Sequence, residues 1–281
     1  MDTIREVTLE DMLAAREKRT ERIAGASLTH QKPLISFTMN IPGPVKVSPL
    51  IRRGFREGLL RLENALFRAE IPFSVLYKEE AFTGCEALYV LDGVAENIKR
   101  IGVSVENSDA LSRLFDLDVI DADGTAVSRT ALGFEERGCM VCGAPGRGCA
   151  SRRIHDADTL RKAAESRLTD YFDPMDCQSV SALAVESLIA EVNATPKPGL
   201  VDGRNTGSHR DMDLPLFERS AAALAPFWGE CFMVGRETAD APPKETFRQL
   251  RSVGLAAEEA MFAATGGVNT HKGAIFLLGT L

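Results

Sequence analysis

The chain has 281 residues, 44% hydrophobic and 26% charged, a length and balance that suit a globular protein of two domains. A formal charge of -7 excludes a broad nucleic-acid-binding surface, although one small basic pocket for phosphates is compatible with it. No stretch approaches the ~20 apolar residues of a membrane span, and the charged start Met1-Asp2-Thr3-Ile4-Arg5-Glu6 lacks the apolar run of a signal peptide, so the expected location is cytoplasmic, with no membrane and no nucleic acid as partner.

Thr8 with Asp11 makes a helix cap. Leu9, Met12, Leu13 and Ile23 recur near helical spacing, so residues 8–24 are predicted helical. Residues 33–41 read as a strand running into the loop Pro42-Gly43-Pro44. A helix follows over about 49–69, with Leu50, Phe55, Leu59, Leu62 and Leu66 as its apolar stripe. Pro49 at its start leaves the first backbone N–H groups free for an anion. Lys46, Arg52, Arg53 and Arg56 gather there, a group that suits a triphosphate and equally a solvated helix face. Strands are expected at 72–77, 86–91, 98–105 and 114–120. The first half is therefore predicted to be α+β (mixed α/β), with one or two helices and about five strands.

The last of these strands contains Phe115-Asp116-Leu117-Asp118-Val119. Successive side chains of a strand point to opposite faces, so Asp116 and Asp118 share one. Two carboxylates so placed repel unless a cation lies between them. Mg²⁺ takes one or two carboxylates together with phosphate oxygens, which fits nucleotidyl transfer. The pattern also fits a solvated strand edge leading into the turn Asp121-Ala122-Asp123-Gly124. Residues 135–155 are rich in Gly, Cys and Arg. Within them Cys139-x₂-Cys142-x₆-Cys149-x₅-His155 offers the ligand types of a structural zinc site. Gly143, Ala144, Gly146, Gly148 and Ala150 leave room for the loop to wrap a metal; ordinary reduced cysteines are the alternative. Arg152 and Arg153 suit an anion or solvent equally.

A helix over about 157–172 is expected to stop at Asp173-Pro174-Met175-Asp176, which places the domain boundary there and gives domains 1–176 and 177–281. Beyond it, helices are predicted at 178–194, 213–234 and 243–265, separated by loops at 195–213 and 264–273. Polar, Gly-rich loops between apolar helices are where binding residues sit. Here they contain Thr195-Pro196-Lys197-Pro198-Gly199, Gly207-Ser208-His209-Arg210-Asp211 and Gly267-Val268-Asn269-Thr270-His271-Lys272-Gly273. Glu258 or Glu259, on the preceding helix, aims a carboxylate at the same place, and helical spacing leaves the choice open.

At these residues the chain resembles two families that mature citrate lyase. Residues 1 to about 176 are similar to the citrate lyase holo-acyl-carrier-protein synthase (apo-citrate lyase phosphoribosyl-dephospho-CoA transferase). The resemblance is carried by Pro33-Leu34-Ile35-Ser36-Phe37-Thr38, Pro42-Gly43-Pro44-Val45-Lys46, Arg113-Leu114-Phe115-Asp116-Leu117-Asp118-Val119, Ser128-Arg129 and Arg137-Gly138-Cys139-x-x-Cys142. Residues from about 180 onward resemble the opening part of triphosphoribosyl-dephospho-CoA synthase, through Glu191-Val192-Asn193-x-x-Pro196-Lys197-Pro198-Gly199-Leu200-Val201-Asp202 and the two loop phrases quoted above. The two enzymes occur fused in this order. The resemblance implies a nucleotidyltransferase domain followed by an incomplete, mainly α-helical domain, because the second family's later helices are absent; the expectation is that this second part does not turn over.

For the first part the implied reaction moves the phosphoribosyl-dephospho-CoA group from 2'-(5''-triphosphoribosyl)-3'-dephospho-CoA to a serine of the apo acyl carrier subunit of citrate lyase. Asp116 and Asp118 would be catalytic and hold Mg²⁺, Lys46, Arg52 and Arg53 would bind the triphosphate, and Arg113 would bind the substrate. For the second part ATP and dephospho-CoA are the implied ligands, near Lys197, His209, Asp211, Glu258, His271 and Lys272. Two alternatives stand beside this reading: a zinc-stabilised docking module for the carrier protein, and a related transferase for another carrier such as that of malonate decarboxylase.

Overall fold

Thr8 and Asp11 start the first helix, α1 (Leu9–His30). The Thr8 hydroxyl accepts from the Asp11 N–H at 3.1 Å and the Asp11 carboxylate accepts from the Thr8 N–H at 2.9 Å, so backbone donors at the helix start are satisfied reciprocally. The computed structural model describes residues 5–144, 148–149 and 152–281. Residues 1–4 of the charged start, and Gly146 and Ala150 of the Cys loop, lie outside the described residues. The chain divides into two units, Met1–Tyr171 and Phe172–Leu281.

In the first unit, β1 (Leu34–Met39), β2 (Phe73–Ala81), β3 (Gly84–Leu91) and β4 (Phe115–Ile120) form one antiparallel sheet in the order β2-β3-β1-β4. Strand alternation sorts its side chains. Phe37 faces Leu117 in register, and Ile35 faces Val119, all buried on one side. Helices α2 (Pro49–Arg68) and α3 (Ala95–Glu106) cover this side. Phe55 of α2 stacks on Phe37 with ring centroids 5.2 Å apart, Phe115 meets Phe37 edge-on at 5.6 Å, and Gly102 of α3 lies against Leu117. On the opposite side Leu34, Leu88 and Ile120 pack on Ile23 and Ala26 of α1. Ser36, Thr38, Asp116 and Asp118 share that side, where Ser36 pairs with Asp118 and Thr38 with Asp116.

Gly58 sets how close α2 comes to the sheet. A Cβ there would lie 2.4 Å from Cζ of Phe37, a fully buried ring held between Phe55 and Phe115. Overpacking of this kind costs about 1–3 kcal/mol, more than the ~1 kcal/mol that alanine gains over glycine in a helix. Gly58→Ala is therefore expected to lower the thermal unfolding midpoint of this unit, as read by calorimetry.

Helix α3 replaces the strand expected at 98–105. Ile98, Val103 and Val105 are β-branched, and that composition favours a strand. The buried positions nevertheless include Ala95, Ile98, Lys99, Gly102, Val103 and Glu106, which is helical spacing. The stripe also carries two charges with a task. β4 is an edge strand, and edges leave backbone groups unpaired. Lys99 Nζ donates to the Leu117 carbonyl at 2.6 Å, and the Glu106 carboxylate accepts from the Leu117 N–H at 2.9 Å. The first unit thus has four strands among its described residues, not five.

Helix α4 (Ala157–Asn193) corrects the second expectation, because it runs through 173–176 without stopping. Pro174 removes one backbone hydrogen bond, but Leu188 and Val192 beyond it are buried, and Arg236 donates to the Asp173 carboxylate. Packing on the C-terminal side outweighs the proline. The rest of the second unit is helical: α5 (Leu214–Glu237), α6 (Pro243–Thr265) and α7 (Lys272–Gly279). Leu188, Ala221, Leu224, Trp228, Ala257, Met261 and Ile275 make its core. Among the described residues no helix is long and apolar enough to cross a membrane.

Candidate functional site

Three arginines from irregular segments converge beside the carboxylates of β4. Arg113 lies in the short turn Leu111–Leu114 that leads into β4. Its position is fixed by a mutual cap, in which the Ser112 N–H donates to Asp109 at 2.8 Å and the Asp109 N–H donates to the Ser112 hydroxyl at 3.0 Å. Arg129 and Arg137 follow β4. Together they line a cavity of about 290 Å³ with Asn107, Glu135 and Glu136. Nη1 of Arg137 sits 3.3 Å from the Asp116 carboxylate and 3.7 Å from that of Glu106, and its Nη2 donates to the Arg113 carbonyl at 3.0 Å. Arg129 Nη1 is 3.9 Å from Glu106. Its Nε and Nη1 are buried and have no hydrogen-bond partner among the described residues.

The electrostatics follow from this crowding. Burial pulls the Arg113 guanidinium below its ordinary value, and Arg137 and Arg167 nearby add to the effect. Half-buried cations favour a negative partner, so an anion entering the cavity would meet donors already in place, beside Glu135 and Glu136 in the same wall. Asp118 is exposed, yet desolvation of its carboxyl pushes it above the usual carboxylate range. Asp116 raises it further and Lys99 opposes. The arrangement can hold a cation on the carboxylates and an anion on the arginines, side by side.

The basic group at the start of α2 goes elsewhere. Arg56 forms a bidentate pair with Glu80 at 2.9 Å and 2.9 Å, and Arg52 Nε lies 3.7 Å from the same carboxylate. Glu80 belongs to β2, the edge of the sheet opposite β4. Lys46 donates to the Ile41 carbonyl at 2.6 Å, and burial, helped by Arg16, holds its ammonium below the ordinary value. Arg53, Arg152 and Arg153 are exposed. Of the cations expected to bind substrate in this half, Lys46, Arg52, Arg53 and Arg113, the cavity is lined by Arg113. Arg129 and Arg137 were missed because nothing in their spacing ties positions 129 and 137 to Asp116. The one available signal was their place in Ser128-Arg129 and Arg137-Gly138-Cys139.

Cys139, Cys142, Cys149 and His155 come together, with one ligand atom from each lying within 4.8 Å of the others. Cys142 Sγ and Cys149 Sγ are 3.4 Å apart. Four ligands around a tetrahedral ion at ~2.3 Å would stand roughly 3.8 Å apart, so the set could hold a metal ion with small adjustments. His155 Nε2 is buried without a hydrogen-bond partner among the described residues, as an atom reserved for a metal would be. Against desolvation, the N–H groups of Cys142 and Val141 hold the Cys139 thiol below its ordinary value.

In the second unit, Asp202 organises the loop between α4 and α5. Its carboxylate accepts from the N–H groups of Arg204 (2.8 Å), Asn205 (2.9 Å) and Lys197 (3.2 Å) and from the Thr195 hydroxyl (2.9 Å). These donors, the Arg204 N–H first, hold it far below the usual carboxylate range. A depressed carboxylate contributes stability that is fully present above its unfolded value and is lost as pH falls from there toward the folded one. Asp202→Asn is therefore expected to destabilise this unit at neutral pH, with the gap from wild type closing as pH drops below ~4; urea melts at several pH values measure it. Lys197 Nζ donates to the Glu191 carbonyl at 2.6 Å and its carboxylate at 2.9 Å. His271 is buried, with Nδ1 2.7 Å from the Ser220 hydroxyl and its ring edge-on to Phe217 at 5.1 Å. Burial lowers its pKa and Glu191 opposes. Lys272 pairs with Glu258 at 2.8 Å, which answers the question between Glu258 and Glu259, the latter being exposed. His209 and Asp211 lie in the Asp202-centred loop, half-buried and exposed respectively.

The first unit thus combines an acidic pair on an α+β sheet, an arginine-lined cavity beside it and a Cys/His cluster that could hold a metal. The family model for apo-citrate lyase phosphoribosyl-dephospho-CoA transferase matches residues 7–171, and the chain belongs to that family. The model for ATP:dephospho-CoA triphosphoribosyl transferase matches residues 177–281. The chain is 35% identical over 273 residues to Protein CitXG of Haemophilus influenzae, covering 97% of this chain and 58% of that one. It is 35% identical over 256 residues to Protein CitXG of Leuconostoc mesenteroides subsp. cremoris, covering 88% and 54%. It is also 44% identical over 139 residues to 2-(5''-triphosphoribosyl)-3'-dephosphocoenzyme-A synthase of Haemophilus ducreyi, covering 50% and 42%. The chain thus spans little more than half the length of the two CitXG relatives.

Proposed function

We propose that the first unit transfers the phosphoribosyl-dephospho-CoA group from 2'-(5''-triphosphoribosyl)-3'-dephospho-CoA to a serine of the apo acyl carrier subunit of citrate lyase, releasing pyrophosphate. The observation that carries the reading is the half-buried Arg129, whose Nε and Nη1 are buried without a hydrogen-bond partner among the described residues, in a cavity whose Arg137 reaches Asp116. Phosphoryl transfer needs positioning and charge neutralisation more than covalent help from the protein. Arg113, Arg129 and Arg137 hold the leaving pyrophosphate. Asp116 and Asp118 would hold Mg²⁺, which would supply charge neutralisation at the reacting phosphate. Asp118, whose carboxyl sits above the ordinary range, is the better proton acceptor for the carrier serine. The basic group Lys46, Arg52 and Arg53 has a lesser part, because Glu80 already engages Arg52. The cytoplasm is the proposed setting, and Zn²⁺ is the ion proposed for the Cys/His cluster.

The second unit is proposed to bind ATP and dephospho-CoA around Lys197, Glu258, His271 and Lys272, with His209 and Asp211 on the rim. The test for the first unit is the intact mass of apo carrier protein after incubation with this chain, Mg²⁺ and the triphosphoribosyl donor. A gain equal to the phosphoribosyl-dephospho-CoA group is expected. No gain, with a folded chain and an active control enzyme, would leave a docking role or another carrier protein. Adenine released from ATP and dephospho-CoA reads the second unit separately.

A further inference from the structure

We infer that Cys139, Cys142, Cys149 and His155 bind one zinc ion that fixes the shape of the arginine cavity beside Asp116, an inference that rests on the reading of that cavity as a phosphate site. The six cysteines are free thiols. The four ligand atoms cluster within 4.8 Å, and His155 Nε2 is buried with no hydrogen-bond partner among the described residues. Thiolates and imidazole are zinc ligands, and four of them leave no open position, so the ion is structural.

The coupling runs through backbone carbonyls on either side of Cys139. The turn that presents Cys139 and Cys142 is tight: the Cys139 N–H donates to the Ala144 carbonyl at 2.6 Å and the Gly143 N–H donates to the Cys139 carbonyl at 3.0 Å. A Cβ at Gly138 would lie 2.6 Å from the Gly143 carbonyl oxygen, so only glycine fits. Two carbonyls point outward from this turn. That of Gly138 accepts from the Arg113 guanidinium, and that of Met140 accepts from Arg167 Nη2 at 2.6 Å. Arg137, next to Gly138, bonds the Arg113 carbonyl and reaches Asp116. This segment lies outside the four-stranded sheet. Metal-binding free energy becomes local folding free energy, and here it is passed to Arg113 and Arg137 as fixed positions.

The experiment uses the full chain, purified without chelator, with inorganic triphosphate as the probe. Elemental analysis is expected to find about one zinc per chain, and Co²⁺ exchange is expected to give the visible absorption of a tetrahedral thiolate site. Stripping the metal, or Cys142→Ser, is expected to weaken triphosphate binding by about tenfold or more, as for loss of a charge-assisted hydrogen bond, while far-UV circular dichroism is retained. Zinc returned to the stripped wild type should restore affinity, which covers the case of a variant that does not fold. Stoichiometric metal absent, with all these thiols freely reactive, would overturn the site. Metal present but triphosphate affinity unchanged by its removal would overturn the coupling. Neither readout involves the carrier protein, so zinc-dependent triphosphate binding without transfer would sink the proposed function and leave this inference standing.

Discussion

Asp116→Asn is expected to lower transfer to the carrier protein by about 10²–10³-fold and to leave the first unit folded. The side chain lies on the sheet face away from Phe37 and Phe55, is 46% exposed, and has Arg137 at 3.3 Å as its ion-pair partner. Asparagine keeps the volume and one acceptor oxygen, and the buried neighbours Phe115 and Leu117 are untouched. What it removes is charge at the site proposed for Mg²⁺. Asp118→Asn is expected to cost a similar factor with a different stability signature. The Asp118 carboxyl is raised in the folded state. A raised carboxyl favours folding at low pH and opposes it once pH climbs past its unfolded value, ~4. At neutral pH the neutral variant is therefore expected to melt no lower than wild type, while transfer disappears. The wild-type rate should also begin to fall on acidification at a higher pH than an ordinary carboxylate would dictate. Time courses of carrier mass and melting curves on the same samples check both; a full rate in Asp116→Asn would end its catalytic assignment.

What the sequence made legible was periodic. Thr8 with Asp11, the apolar stripe of α2, the two-residue alternation of β4 and the long helical stripes after 213 repeat at fixed spacing, and all appear in the structure. The segment 98–105 was not legible, because its β-branched residues favour a strand and its helical face includes Lys99 and Glu106, which look like surface until β4's unpaired edge is known. Asp173-Pro174 has the local propensity of a helix stop, and only the packing beyond it carries the helix through. At the site the same division holds. Asp116 and Asp118 announce themselves within five residues. Arg113, Arg129 and Arg137 come from three loops, and only tertiary structure sets them around one cavity. Arg52 and Arg56 looked available because Glu80, their partner, is more than twenty residues away in sequence.

Arg129→Met is expected to raise the donor KM by about 10²-fold or more, with a smaller change in kcat, and to leave the first unit at least as stable. Its Nε and Nη1 are buried with no hydrogen-bond partner among the described residues. A bond to a charged acceptor contributes about 1.5–3 kcal/mol, and two of them amount to at least two factors of ten at ~1.4 kcal/mol each. Bound before and during transfer alike, the terminal phosphates would feel the loss mainly as weaker binding. The stability expectation has its own reason. Two guanidinium nitrogens buried without a hydrogen bond carry a desolvation cost that the Glu106 carboxylate at 3.9 Å offsets only in part, and methionine fills similar space without it. Glu106, the nearest carboxylate, keeps the Leu117 N–H at 2.9 Å and Arg137 at 3.7 Å after Arg129 is gone. Steady-state kinetics over donor concentration, calorimetric titration with inorganic triphosphate and a thermal melt measure the three effects separately. An unchanged KM with a lowered melting temperature would make Arg129 a structural partner of Glu106 and move the phosphate site back toward Lys46 and Arg53 at the start of α2.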